Sequence, residues 1–411
     1  MRLWLVNPFD PLPGDPEQEG RYATLARLLV DRGHAVTWWT SAFSHRFKRP
    51  VDQQAIEAEC RRIGFDPRFL SAPPYWGNVS RARRRNHAVL AREFARASRA
   101  EADRPAVVLA SAPPPGLARA AVEFAREAGA RSVVDVQDLW PENFARLLPR
   151  VARPLFNLKV WPWWRTARQA YQLADAIVGV ADAYVERALA VGGPKAHTAT
   201  IPLGVDLAVF DAAAQAGRSD RFTRPAGEVW LAYTGSLNIS YDPLTILHAT
   251  ADLRGRPVPP FRLFITGRGR LQAEAERIVR ERRLENVTLT GFLEFNEWAY
   301  LVSQCEVGFN ASFPEALIYL PNKIFYYLAA GLAVLNTIPG QAGRIVRDGA
   351  CGLDYEAGNV ASCAAAIERL LTEPDARQAM GRAARRLAET TYDRAVLYPK
   401  YVALLEGIAE P

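Results

Sequence analysis

RLWLVNPFDPLPGDPEQEGRYATLARLLVDRGHAVTWWT (2–40) is the stretch that decides the fold. A short apolar run, RLWLVN, enters a loop of Pro, Gly and Asp and continues as RYATLARLLVDRG, with apolar residues at helical spacing. Gly33 closes that helix as a C-cap signal, and HAVTWWT follows as the next strand. Strand, helix and strand in so short a span predict a parallel βαβ unit with helices covering the sheet. The unit recurs in AVVLAS (106–111), a helix through RAAVEFAREAG, RSVVDVQ (131–137), AIVGVA (176–181) and HTATIPLG (197–204).

The pattern then restarts. EVWLAYTGS (228–236) and FRLFITGRG (261–269) are strands running into glycine turns, and NVTLTGF, EVGFNASF and AVLNTIP extend the series. The boundary falls near IPLGVD (201–206), with AAAQAGRSDRFTRPAGE (212–228) expected as a surface connector. The domains read as 1–204 and 205–390. A closing amphipathic helix, about 391–411, is expected to cross back onto the first domain. At 411 residues the chain exceeds what one core supports. The predicted fold class is α/β: two Rossmann-like, doubly wound parallel-sheet domains facing a cleft, with ligands at the carboxyl ends of the strands.

Composition narrows the function. The chain is 49% hydrophobic and 23% charged, as in ordinary soluble proteins. Cys60, Cys305, Cys351 and Cys363 form no C-x-x-C pair, which argues for a reducing compartment and against disulfide or zinc frameworks. The N-terminus reads as a strand rather than a signal peptide, and no uncharged apolar stretch reaches the roughly 18 residues of a membrane span. A cytoplasmic location is expected. The net charge of +7 suits an anionic partner, a phosphorylated substrate or an anionic membrane face, although an arginine-rich composition alone also produces it. No zinc finger or RNP signature supports nucleic acid as the partner.

Three stretches carry candidate chemistry. Gly235, Gly267, Gly269 and Gly291 each follow a second-domain strand, where a ligand phosphate can approach backbone amides; a plain strand-to-helix turn is the simpler account of any one of them. PEALIYLPNKIFYYLAAGLAVL (314–335) places Lys323 in the first turn of a helix, a position the helix dipole disfavours unless an anion is met there. DVQDLWPENF (135–144) puts carboxylates just past a first-domain strand. Asp138 is the candidate catalytic residue, with a helix cap as the alternative.

These pieces, in order, resemble glycosyltransferase family 4 with the GT-B fold. The opening loop and its helix, TIPLGVD (200–206), YTGS, ITGRG, VTLTGF and PNKIFYYLAAGLAV carry the likeness across essentially the whole chain. DVQDLWPE and SAPPP (111–115) narrow it to members that build O-antigen or exopolysaccharide repeat units. The resemblance implies retaining hexosyl transfer from a nucleotide-diphosphate sugar, UDP-sugar favoured, with no metal and no other cofactor. It puts Gly14, Gly235, Ser236, Gly267, Arg268, Phe292, Leu293, Glu315, Pro321, Asn322, Lys323 and Tyr326 at the nucleotide-sugar. Arg21, His45, Ser111, Trp140 and Glu142 would meet a lipid-linked saccharide acceptor.

The departures are specific. Where the family has a Glu-x7-Glu pattern, Tyr326 and Ile318 stand in register and Glu315 lies out of it. Ser236 and the Tyr241-Asp242 pair replace the usual diphosphate-binding Arg and Lys. Because a buried diphosphate without cations is very expensive, Lys323, Arg268 and Arg344 are the expected substitutes. Ser111 occupies the place of a frequent histidine. The losses keep open a degenerate, non-catalytic binding partner, and a sugar-nucleotide epimerase shares the architecture. Eight of the ten tryptophans lie before residue 205, three of them in KVWPWWRTARQ, and the same half of the chain carries the basic clusters HRFKR (45–49) and RARRR (81–85). Peripheral attachment to the cytoplasmic face of the inner membrane is one reading; core packing and sugar stacking are the other.

Overall fold

A computed structural model describes residues 1–13, 20–78, 80–142 and 153–409. The chain divides into two compact units, Met1–Leu203 with Leu397–Pro411, and Gly204–Val396.

The first unit runs β1 (Arg2–Val6), α1 (Arg21–Asp31), β2 (Ala35–Ser41), a small hairpin of β3 (Phe43–Ser44) and β4 (Arg49–Pro50), α2 (Gln53–Ile63) and β5 (Asp66–Leu70). It continues with α3 (Arg81–Ala100), β6 (Val107–Ala112), α4 (Pro115–Glu127), β7 (Arg131–Val136), α5 (Arg153–Leu173), β8 (Ala176–Gly179), α6 (Asp182–Gly192) and β9 (His197–Thr200). Seven strands form one sheet in the order β5-β2-β1-β6-β7-β8-β9, all parallel. The order reverses between β1 and β6, and such a switch opens a crevice at the carboxyl ends of those strands. Every residue of β6 is buried, as a strand covered on both faces requires. Trp4 stacks on Phe124 of α4 at 4.8 Å, and Trp39 meets Phe94 of α3 edge-on at 5.2 Å. Trp4, Trp38 and Trp39 are therefore core residues.

The second unit repeats the plan. It runs α7 (Leu207–Ala216), β10 (Val229–Thr234), α8 (Pro243–Asp252), β11 (Phe261–Thr266), α9 (Gln272–Glu281), β12 (Val287–Gly291), α10 (Phe295–Ser303) and β13 (Val307–Asn310). Then come α11 (Lys323–Ala329), β14 (Ala333–Asn336), α12 (Gln341–Asp348), β15 (Gly352–Asp354), α13 (Val360–Thr372) and α14 (Pro374–Leu387). Its parallel sheet has the order β12-β11-β10-β13-β14-β15, with the switch between β10 and β13. The last helix, α15 (Arg394–Ala409), buries Leu397, Tyr398, Tyr401, Val402, Leu405 and Ile408.

Four differences from the sequence reading have local causes. The stretch 212–228 is partly helical, because Asp206 caps α7 by accepting from Val209 N at 2.9 Å. β5 was not expected, since DPRFL opens on Asp-Pro and carries a charge. α3 was read only as a cluster of charge; its buried Leu90 and Phe94 are diluted among arginines. Asp242 stands where a cation was sought because it caps α8, accepting from Thr245 N and from Gly358 N.

Arg21 requires the main correction. It is not offered to an acceptor: its side chain and that of Asp135 are fully buried. Nε and Nη2 donate to the two Asp135 oxygens at 2.9 and 3.1 Å, and Nη1 donates to Ile201 O at 2.8 Å. The Tyr401 ring lies 4.7 Å from the guanidinium carbon. A planar fork so fully engaged holds α1, β7 and α15 together. The C-terminal helix is also pinned at its polar end, where Glu406 accepts from Arg32 and pairs with His34.

Candidate active site

In the second unit the switch between β10 and β13 gathers the candidate residues. β10 leaves its sheet through Gly235 at φ +120°, a conformation that L side chains rarely adopt. A methyl group there would lie 3.4 Å from Lys323 Nζ, so the amine sits directly over the turn. Lys323 is 9% exposed, and its Nζ has no hydrogen-bond partner among the described residues. The amine instead lies between two rings, 4.1 Å from the Tyr233 centroid and 4.6 Å from that of Tyr241. Ring faces compensate a cation only in part. Burial pushes the Lys323 ammonium down to about 7. An unpaired buried amine at a strand tip calls for an anionic ligand.

The neighbouring turn is built by close approach. Gly267 has φ +126°, and a methyl group on it would fall 1.9 Å from Gly235 O. Gly269 is required in the same way by Leu237 O. Glycine is thus demanded here by backbone packing, before any ligand is considered. Arg268 is exposed at the tip of β11, and Phe292 is half-exposed after β12 while Leu293 is buried. Ser236 Oγ accepts from Asn238 Nδ2. Glu315 is exposed in a 3-10 turn (Pro314–Ala316), and Pro321 and Asn322 lead into Lys323.

In the first unit the carboxyl ends of β1, β2, β5 and β7 bring together Phe9, His45, Tyr75, Arg83, His87 and Trp140. Phe9 lies 5.2 Å from the His45 ring and 5.5 Å from that of His87, and His87 lies 5.5 Å from the Trp140 ring. The Arg83 guanidinium stands 4.5 Å from the Trp140 centroid. Tyr75 OH is hydrogen-bonded to His45 Nδ1. Burial, with the charges of Arg83 and Lys48, pushes His45 down to about 4; burial, with Arg83 and His45, pushes His87 down to about 3. Both imidazoles are neutral near pH 7. Asp138 lies on the loop after β7, where its oxygens accept from Leu139 N at 2.8 Å and Trp140 Nε1 at 3.0 Å.

Residues 19–209 match the model described as Glycosyltransferase Family 4, and residues 228–373 match Glycosyl transferases group 1. The chain is a glycosyltransferase of the GT-B type. Solved structures agree in fold. HepE from Anabaena, in complex with UDP and glucose, is 14% identical with a TM-score of 0.68, over 99% of this chain and 100% of that one. Sucrose-phosphate synthase from Thermosynechococcus elongatus is 17% identical (TM-score 0.69, coverage 99% and 98%). WaaG, a glycosyltransferase involved in lipopolysaccharide biosynthesis, is 16% identical (TM-score 0.66, coverage 99% and 100%). No curated protein sequence matches.

In this glycosyltransferase two further expectations need correction. Ser111 is 2% exposed inside β6 and directs its hydroxyl to Pro113 O at 3.3 Å, so it is not presented to a ligand. Glu142 accepts from Arg187 Nε at 2.9 Å, which commits it to an ion pair. Tyr326, where the resemblance leads to the expectation of a glutamate, packs among Phe210, Phe295 and Trp298, edge-on to Trp298 at 5.0 Å. Gly14 lies outside the described residues. His45 and Trp140 do come together, joined by four residues that sequence reading missed: Phe9, Tyr75, Arg83 and His87. His87 follows the RARRR cluster by two positions, and only a helix over that stretch would have turned it inward with Arg83, one turn earlier.

Proposed function

We propose that this glycosyltransferase moves a hexosyl group from a UDP-sugar to a lipid-linked saccharide, with retention of configuration, in cell-surface polysaccharide synthesis. The observation that carries this reading is the unpaired, buried amine of Lys323 over the Gly235 turn. A diphosphate placed there completes its hydrogen bonds and supplies the missing negative charge. The amine then stabilises the leaving diphosphate as the bond from the sugar's anomeric carbon to its oxygen breaks. The acceptor hydroxyl forms the new bond at that carbon, and its proton passes to the departing phosphate oxygen. Asp138 orients the acceptor hydroxyl, since a carboxylate oxygen accepts more than one hydrogen bond. Uridine is favoured because HepE, of like fold, is seen with UDP and UDP-glucose. This step requires no metal or other cofactor.

Calorimetric titration with UDP, GDP, ADP and dTDP, without added metal, is the test. One nucleotide is expected to bind well, and Lys323→Met to weaken it strongly. A folded protein that binds none of them would instead be a non-catalytic partner, the reading favoured by the packing of Tyr326 where a glutamate is usual.

We also place the enzyme on the cytoplasmic face of the inner membrane. Leu155, Leu158 and Trp161 of α5 are 75%, 74% and 57% exposed, and Trp76 is 71% exposed. Arginines 46, 49, 81, 84 and 85 lie in the same unit, and apolar side chains with cations suit a headgroup layer. No described helix is long and apolar enough to cross a membrane. The protein is expected to co-sediment with anionic vesicles at low salt and to be released at high salt; absence of co-sedimentation would remove this placement.

A further inference from the structure

α3 is capped by Ser80, whose Oγ accepts from Arg83 N at 3.1 Å. Its first turn carries Arg81, Arg83 and Arg84 and no acid, against the helix dipole. Beside that turn lies a cavity of about 240 Å³, bounded by Arg83, Arg84, His87, Trp140, Val160 and Trp163. Arg83 is 9% exposed, and one guanidinium nitrogen, Nη1, donates to Asn78 O at 2.8 Å. Its Nε has no partner among the described residues, and neither does His87 Nε2. The opposite wall is hydrocarbon and indole, supplied by α5. That helix lines the cavity with Val160 and Trp163 while exposing Leu158 and Trp161.

The two halves of the cavity ask for different chemistry. A small anion would have no use for the apolar wall, and a neutral hydrocarbon would leave buried arginine atoms unpaired. We propose that the cavity holds the phosphate end of a hydrocarbon phosphate ester, with Arg83, Arg84 and His87 Nε2 on the phosphate and Val160 and Trp163 along the first carbons of the chain. This deepens the reading of a lipid-linked acceptor and rests on it: the same group would fix the acceptor beside the His87–Trp140 nest.

The test uses the full chain, titrated with decyl phosphate below its micelle concentration, with inorganic phosphate and with decanol. Decyl phosphate is expected to bind at least about tenfold more tightly than either, the scale of one charge-assisted hydrogen bond to a buried group. Arg83→Gln should weaken it by about tenfold or more. Arg84→Gln, at an exposed position that a fold tolerates, should weaken it by a few-fold. Neither substitution should change UDP binding. Equal binding of inorganic and decyl phosphate would overturn the amphiphile, assigning the cavity to free phosphate; equal binding of decanol would overturn the phosphate contact. Unchanged decyl phosphate affinity in the variants that fold would overturn the site. Loss of these effects with UDP binding intact removes this inference alone, whereas decyl phosphate binding without UDP binding removes the donor reading.

Discussion

Asp135→Asn is expected to destabilise the first unit by about 3–5 kcal/mol, the cost of leaving a buried charge without its partner. The substitution keeps the shape of the side chain, removes the charge that Arg21 requires and turns one of the two oxygens that accept from it into a donor. Arg21 cannot relax toward solvent, because its side chain is fully buried and Nη1 is already held by Ile201 O. Urea unfolding followed by tryptophan fluorescence reads the effect, since Trp4, Trp38 and Trp39 lie in that unit's core. A double variant, Arg21→Met with Asp135→Leu, should lose less than the single one, because a buried ion pair often exchanges for apolar packing at small cost. A midpoint for Asp135→Asn close to wild type would show that the pair is not the anchor described.

Lys323→Met should produce opposite effects on stability and binding. Without a ligand it removes a buried amine that has no hydrogen-bond partner among the described residues, so the second unit is expected to gain on the order of 3 kcal/mol near pH 7. The sign follows from the depressed pKa. Between about 7 and 10.5 the unfolded lysine holds a proton that the folded one has lost, so wild-type stability rises with pH through that window. The advantage of the methionine variant therefore shrinks toward pH 10.5. Nucleotide binding should fall by about 30- to 1000-fold, equivalent to roughly 2–4 kcal/mol. In the wild type the bound diphosphate needs the charged amine, so the dissociation constant should rise by up to about tenfold per pH unit above 7. The variant should lack that slope. Equal affinity in the two proteins would move the diphosphate away from Lys323.

Both sheets were legible because their strands are continuous apolar runs; β1, β6 and β10 are the clearest. The resemblance in the glycine turns and the PNK segment pointed to the switch point of the second sheet. The side chains around it were less legible. Lys323 is flanked by Tyr233 and Tyr241, which come from the end of β10 and the turn before α8, and no local pattern joins three such segments. Arg21 was misread for the same reason. The resemblance put it at the acceptor, and its true partner is 114 positions away in sequence. Gly267 and Gly269 were singled out as places for a ligand to approach, and the neighbouring turn's own backbone accounts for them. On α3, arginine density hid a helix whose inward face carries Arg83 and His87.

The assignment of residues 397–411 to the first unit has a consequence for synthesis. The whole of Gly204–Val396 leaves the ribosome between the two parts of that unit. At about 5–20 residues per second, its first two hundred residues wait roughly 10–40 s for the helix that carries Tyr398 and Tyr401. During that interval the surface destined to receive α15, including the Arg21–Asp135 pair, is uncovered. The intervening unit is continuous in sequence and meets no such delay. The vectorial order of folding is thus the reverse of the order in which the two units begin: the one started second is the first that can be finished.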